Sequence, residues 1–141
     1  MKDPSGSIRT WLFGILDENV SYGGSDVPVY SFAPKDATMP YILLGGQSSP
    51  GEEGPKDAYI STQNFTVEVY TSNLGNDGSY IPCDTIASSI LQLVRLRTAI
   101  TISGYNVISL TFDNMITDAI DVETEIVIYK IMYFTMIIEE N

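Results

Sequence analysis

An α+β fold with a mostly antiparallel sheet and two helices packed on one face is predicted by three features of the sequence. Residues 65–70 alternate between apolar and polar, stretches 8–18 and 81–94 are amphipathic with helical period, and the run 124–138 is apolar at nearly every position. With 141 residues and 44% hydrophobic content, the chain suits a single domain spanning 1–141 with one core.

The first helix is expected over residues 8–18, capped by Ser7, because Ile8, Trp11, Leu12, Ile15 and Leu16 fall on one stripe. Residues 19–26, with Gly23 and Gly24, read as a loop. Residues 27–32 read as a short strand that Pro28 confines to a sheet edge or a strand start. After the connection bracketed by Pro34 and Pro40, the apolar run 41–47 reads as a core strand. Residues 48–58 hold Pro50, Gly51, Glu52, Glu53, Gly54, Pro55, Lys56 and Asp57, too polar to form a core, so the region 47–59 is expected to be a projecting loop.

In the next strand Phe65, Val67 and Val69 form an inner face, while Thr66, Glu68 and Tyr70 form an outer one. Residues 72–79 are a turn cluster. The second helix enters through Pro82 and buries the stripe of Ile81, Cys83 or Asp84, Ile86, Ala87, Ile90, Leu91 and Val94. Runs 98–103 and 105–112 suggest a hairpin across Gly104. In the last strand Ile126, Ile128, Met132, Phe134, Met136 and Ile138 line one face, and Val127, Tyr129, Ile131, Tyr133 and Ile137 line the other. A strand apolar on both faces is covered on both sides. Two helices cover only one face of the sheet, so the second is expected to meet a neighbouring subunit.

The chain offers little chemistry. With no histidine, the serine triad, the cysteine–histidine pair and the common zinc sites are excluded. The lone cysteine, Cys83, reads as a small buried side chain. The glycines at 45, 46, 51 and 54 match neither a phosphate-binding loop nor a dinucleotide fingerprint. Asp113, Asp118, Asp121, Glu123 and Glu125 lack the glycine and terminal glutamate of a calcium loop and read as a solvated acidic loop and strand entry; a metal-assisted enzyme built on them is the weakest alternative. Glu52, Glu53 and Asp57 sit on a segment too irregular to hold a catalytic carboxylate separation. No catalytic residue, metal site or cofactor is expected.

Eighteen acidic against 7 basic residues give a net charge of −11, the wrong sign for stable binding to DNA or to an anionic membrane. The start Met1-Lys2-Asp3-Pro4 does not resemble a signal peptide, and the apolar run 126–138 is shorter than the roughly 20 residues of a membrane-spanning helix. Assembly in the cytoplasm is the expectation.

Several short patterns, taken in order, resemble the tail-completion, or tail-terminator, family of tailed bacteriophages. They are the amphipathic helix from Ile8 to Leu16, the strand Val29-Tyr30, the strand entry Met39-Pro40-Tyr41-Ile42, and a loop bearing glycine and proline. Phe65-Thr66-Val67-Glu68-Val69-Tyr70 before a helix, residues 107–113, an acidic loop and the closing Ile137-Ile138-Glu139 complete the series. The resemblance runs from about residue 7 to 139. It implies a non-enzymatic virion subunit that forms a ring, usually a hexamer, at the head-tail junction. Such a ring joins the portal-associated head connector to the tail tube, assembles in the host cytoplasm and lets DNA pass without specific binding. The last strand is more apolar and methionine-rich than the family pattern, so a neck ring of a short-tailed phage stays open beside a tail terminator. Under this reading Tyr70, Tyr129, Ile131 and Tyr133 are subunit-interface candidates, and Glu52, Glu53, Asp118 and Asp121 are channel-lining candidates. The alternative is a monomeric small-ligand-binding α+β domain with its pocket at Tyr129 and Tyr133.

Overall fold

The computed structural model describes residues 2–53, 59–73, 79–95 and 100–141. Its elements in chain order are α1 (Ser5–Leu16), β1 (Ser21–Tyr22), β2 (Ser25–Asp26), β3 (Val29–Tyr30), β4 (Tyr41–Glu53), β5 (Ile60–Ser72), α2 (Ile81–Val94), β6 (Thr101–Ile102), β7 (Tyr105–Val122) and β8 (Glu125–Glu140). Six of the strands form one sheet in the order β3-β4-β5-β8-β7-β6, antiparallel except for the β3–β4 pair, and β1 with β2 makes a separate small hairpin. The fold is α+β, as the patterning predicts.

α1 starts earlier than expected. Its N-cap is Pro4, Ser7 lies within the helix, and Asp3 Oδ1 accepts both the N–H and the hydroxyl of Ser5 at 3.0 and 2.7 Å. A carboxylate ahead of the first turn satisfies an otherwise unpaired donor, so Ser7 is not needed as a cap. The same two bonds hold the Asp3 carboxyl below its usual range. Ile8, Leu12 and Leu16 form the buried stripe, with Trp11 and Ile15 packed at its margin.

α2 buries Pro82, Cys83, Ile86, Ala87, Ile90 and Val94. Ile81, expected on that stripe, is 67% exposed because the helix begins there, one step before the face turns inward. Both helices pack on one side of the sheet: α2 lies against the odd-numbered residues of β5, such as Phe65, Val67 and Val69, and the even-numbered ones of β8, and α1 lies against α2, β4 and β6. Phe65 stacks on Phe134 at 5.2 Å, with Phe112 at 5.6 Å from Phe134 and Trp11 edge-on to Phe65. Lys130 also points into this side, where its Nζ meets Asp84 Oδ1 of α2 at 3.0 Å and Thr117 Oγ1 of β7 at 2.8 Å.

Three further sequence expectations need correction. The stretch 48–58 is not wholly loop: β4 continues to Glu53 and β5 starts at Ile60, while residues 54–58 lie outside the described residues. The acidic residues 113–122, expected as a loop ahead of the last strand, are not a loop either. They are the far half of β7, with Asp118 opposite Tyr129 and Val122 opposite Glu125, and a turn at Glu123 and Thr124 leads into β8, where the strand entry was expected. Pairing with β8 outweighs the acids, since exposed carboxylates on an outer strand meet water. The strand expected at 27–32 is only Val29–Tyr30, lying parallel to Ile42 and Leu43.

Candidate functional site

The side of the sheet facing away from the helices is the candidate site. Because strand side chains alternate, burial of Val69 and Thr71 in β5 and of Ile128 and Lys130 in β8 sends Tyr70 and Tyr129 the other way. Register then places Tyr70 opposite Tyr129, Glu68 opposite Ile131 and Thr66 opposite Tyr133. All four interface candidates named from the sequence share this open face, half-buried among their neighbours.

The face is more aromatic than sequence alone suggests. Tyr30 of β3, Tyr41 of β4, Tyr70 of β5 and Tyr129 of β8 form a row across the strands. Ring centroids lie 5.9, 5.3 and 5.8 Å apart in that order; the last two pairs are stacked, at 26° and 24°. Each such cross-strand pair adds about 0.5–1.5 kcal/mol beyond the area it buries. Tyr30 and Tyr41 escaped the sequence reading because only the register aligns them with the others. β7 extends the surface with Asp118 beside Tyr129, Ile116 beside Ile131 and Asn114 beside Tyr133.

Polar groups on this face are engaged with one another. Tyr70 Oη donates to Glu68 Oε1 at 2.6 Å, and Thr135 Oγ1 meets both Asn64 Oδ1 at 2.9 Å and the Asp113 carboxylate. Burial, reinforced by the bond to Glu68, pushes the Tyr70 phenol well above its usual range; burial followed by the Glu68 charge raises Tyr41. The Tyr70 and Tyr41 phenols stay protonated at neutral pH. On the helix side, burial pushes the Cys83 thiol up to about 11, which makes it inert.

The channel-lining candidates are scattered. Asp118 lies on the open face, with its Oδ1 accepting the Ala119 N–H at 2.8 Å, whereas Asp121 pairs with Ile126 on the opposite face. Backbone pairing sets Glu52 beside Ser61 and Glu53 beside Ile60, but the side chains of both glutamates lie outside the described residues. Among the described residues no acid or cysteine cluster has the makings of a metal site, and no helix is long and apolar enough to cross a membrane. A groove of about 410 Å³ opens beside Tyr133, bordered by Ser48, Asn64, Thr66 and Asp113. Tyr129 is not part of it.

Comparison with solved structures finds a chain described as belonging to the virion of native gene transfer agent (GTA) particle. It superposes with a TM-score of 0.63 at 15% identity, over 96% of this chain and 90% of that one. The two share a fold. No family model matches the chain, and no curated protein matches it in sequence. At this identity the likeness is one of architecture, and it extends over nearly the whole length of both chains.

Proposed function

We propose that this chain is a non-enzymatic structural subunit of a phage-like virion that assembles into a ring at the head-tail junction. There it acts as a tail-completion or neck protein between the head connector and the tail. The observation that carries the reading is the end-to-end fold likeness to a chain of a gene transfer agent virion. The open tyrosine face supports it: a continuous half-buried surface of aromatic and aliphatic side chains is what a contact between subunits uses. In this reading Tyr70, Tyr129, Ile131 and Tyr133 contact a neighbouring virion protein. Six copies surround the DNA path, whose acidic walls repel phosphate and keep the genome from sticking.

The test has two readouts. Light scattering on the purified chain is expected to give a discrete closed oligomer, and electron microscopy of particles carrying a tagged chain is expected to place the tag at one ring between head and tail. A chain that stays monomeric and is absent from particles would leave the groove beside Tyr133, and with it the ligand-binding alternative, as the better account.

A further inference from the structure

The six-stranded sheet leaves backbone unpaired at both sides. β3 covers β4 only at Ile42 and Leu43, so beyond Leu43 the outer edge of β4 has no strand beside it among the described residues. At the opposite side β6 covers β7 only at Tyr105 and Asn106 and Arg95 Nη1 donates to Leu110 O at 3.1 Å, so among the described residues nothing pairs with the outer edge over 111–122. An uncovered strand edge is a template for another strand.

The two edges are unlike and complementary. Along β4 a groove of about 520 Å³ is lined by Phe32, 91% exposed, by Arg9 and Glu68, and by the Gly45–Gly46 stretch. Arg9 is half-buried and uses only Nη1, on Leu44 O at 3.2 Å and Gly45 O at 3.5 Å; it has no carboxylate partner among the described residues. The β7 edge carries exposed Ile116 and Ile120, together with exposed Asp113, Asp118 and Asp121, and no base anywhere in the strand. Pairing β7 with another β7 would set carboxylates against carboxylates, which is unfavourable. The largely apolar groove, where Arg9 stands beside Glu68, offers the edge a base that a second β7 lacks.

Direction agrees as well. Antiparallel pairings join β4 to β5, β5 to β8 and β8 to β7, so β7 runs antiparallel to β4 within one sheet. A second copy related by rotation about an axis along the strands keeps that sense, and its β7 would meet β4 in an antiparallel ladder. We infer that the free edge of β7 in one copy docks head to tail into the Arg9–Phe32–Gly46 groove beside β4 of the next. This inference rests on the ring reading and adds to it which two surfaces meet.

The contact is heterologous, so it can be broken from either side and rebuilt by mixing. One variant, Phe32→Asp with Gly46→Asp, spoils the groove; the other, Ile116→Asp with Ile120→Asp, spoils the β7 edge. Phe32, Ile116 and Ile120 are exposed, and a Cβ at Gly46 meets nothing within 4 Å, so both variants should fold, as circular dichroism would verify. Each alone is expected to be a monomer of 15.5 kDa by light scattering. Their equimolar mixture is expected to stop at twice that mass, because one intact groove meets one intact edge and no further contact is left. If wild type forms rings while the variants also form rings, or while the mixture stays monomeric, this pairing is overturned and the ring stands. If wild type itself is monomeric, both readings fall.

Discussion

At Gly45 the space for a side chain is already taken: a Cβ there would run into Thr66 Oγ1 and Glu68 Oε2 on the open face, at the bulge where β4 shifts register against β5. Gly45→Ala is expected to lower stability by about 1–3 kcal/mol, the usual cost of overpacking, while Gly46→Ala, with open space around its Cβ, stays near neutral. Urea melts of the two variants check this, and equal midpoints would contradict it. Glu68 matters beyond sterics because it accepts the Tyr70 hydroxyl. Tyr70 and Tyr41 have phenols raised in the fold, so the folded state keeps protons that the unfolded chain loses near pH 10. That contribution is whole below pH 10 and is lost as pH rises through the folded values. Stability should therefore hold level from pH 7 to 9 and fall above 10, with tyrosinate absorbance showing a late component that disappears in Tyr70→Phe. An unchanged late component would assign it to another residue.

At the scale of elements, β8 joins the two sides of the molecule: its even residues fill the core under the helices, and its odd residues build the open face. Replacing Tyr129 or Tyr133 by aspartate should therefore leave a folded chain with native circular dichroism but block incorporation into particles. Burying either ring at a contact is worth on the order of 1.5–3 kcal/mol, and a buried charge reverses that. Wild-type levels in intact particles would show that the face is not a contact. Much of this was legible before the fold was known, because period alone separates Phe65, Val67 and Val69 from Thr66, Glu68 and Tyr70, and the stripe from Cys83 to Val94 reads directly as a helix face. What escaped depends on partners distant in sequence. Tyr30 and Tyr41 join the row only through the β3–β4 and β4–β5 registers, and Lys130 finds Asp84 and Thr117 only once α2 lies across β5 and β8 and β7 pairs with β8. The acids at 113–122 suggested a loop because composition is silent about edges, where a carboxylate meets water and the strand continues.

For the whole molecule the dominant number is the net charge of −11 on a chain of 141 residues. Copies packed side by side in a ring repel one another, and nothing in the apolar contacts removes that repulsion. Its range is set by salt: the screening length is roughly 30 Å at 0.01 M, comparable to a small domain, and about 10 Å at 0.1 M, where only neighbouring charges still feel each other. The contact proposed to hold the ring is insensitive by comparison, since a strand ladder and the apolar side chains buried beside it do not weaken with salt, and a close Arg9–carboxylate pair is screened less than charges across a solvent gap. Assembly of the purified chain is therefore expected to strengthen with ionic strength, with the oligomer fraction rising between roughly 0.01 M and 0.1 M salt and levelling off beyond, where little repulsion remains to be screened. Neutralising an exposed acid away from both edges, as in Glu123→Gln at the β7–β8 turn, should shift that rise toward lower salt. Sedimentation across a salt series measures both effects. An oligomer that instead dissociates as salt is added would mean that opposite charges, and not burial and strand pairing, hold the copies together.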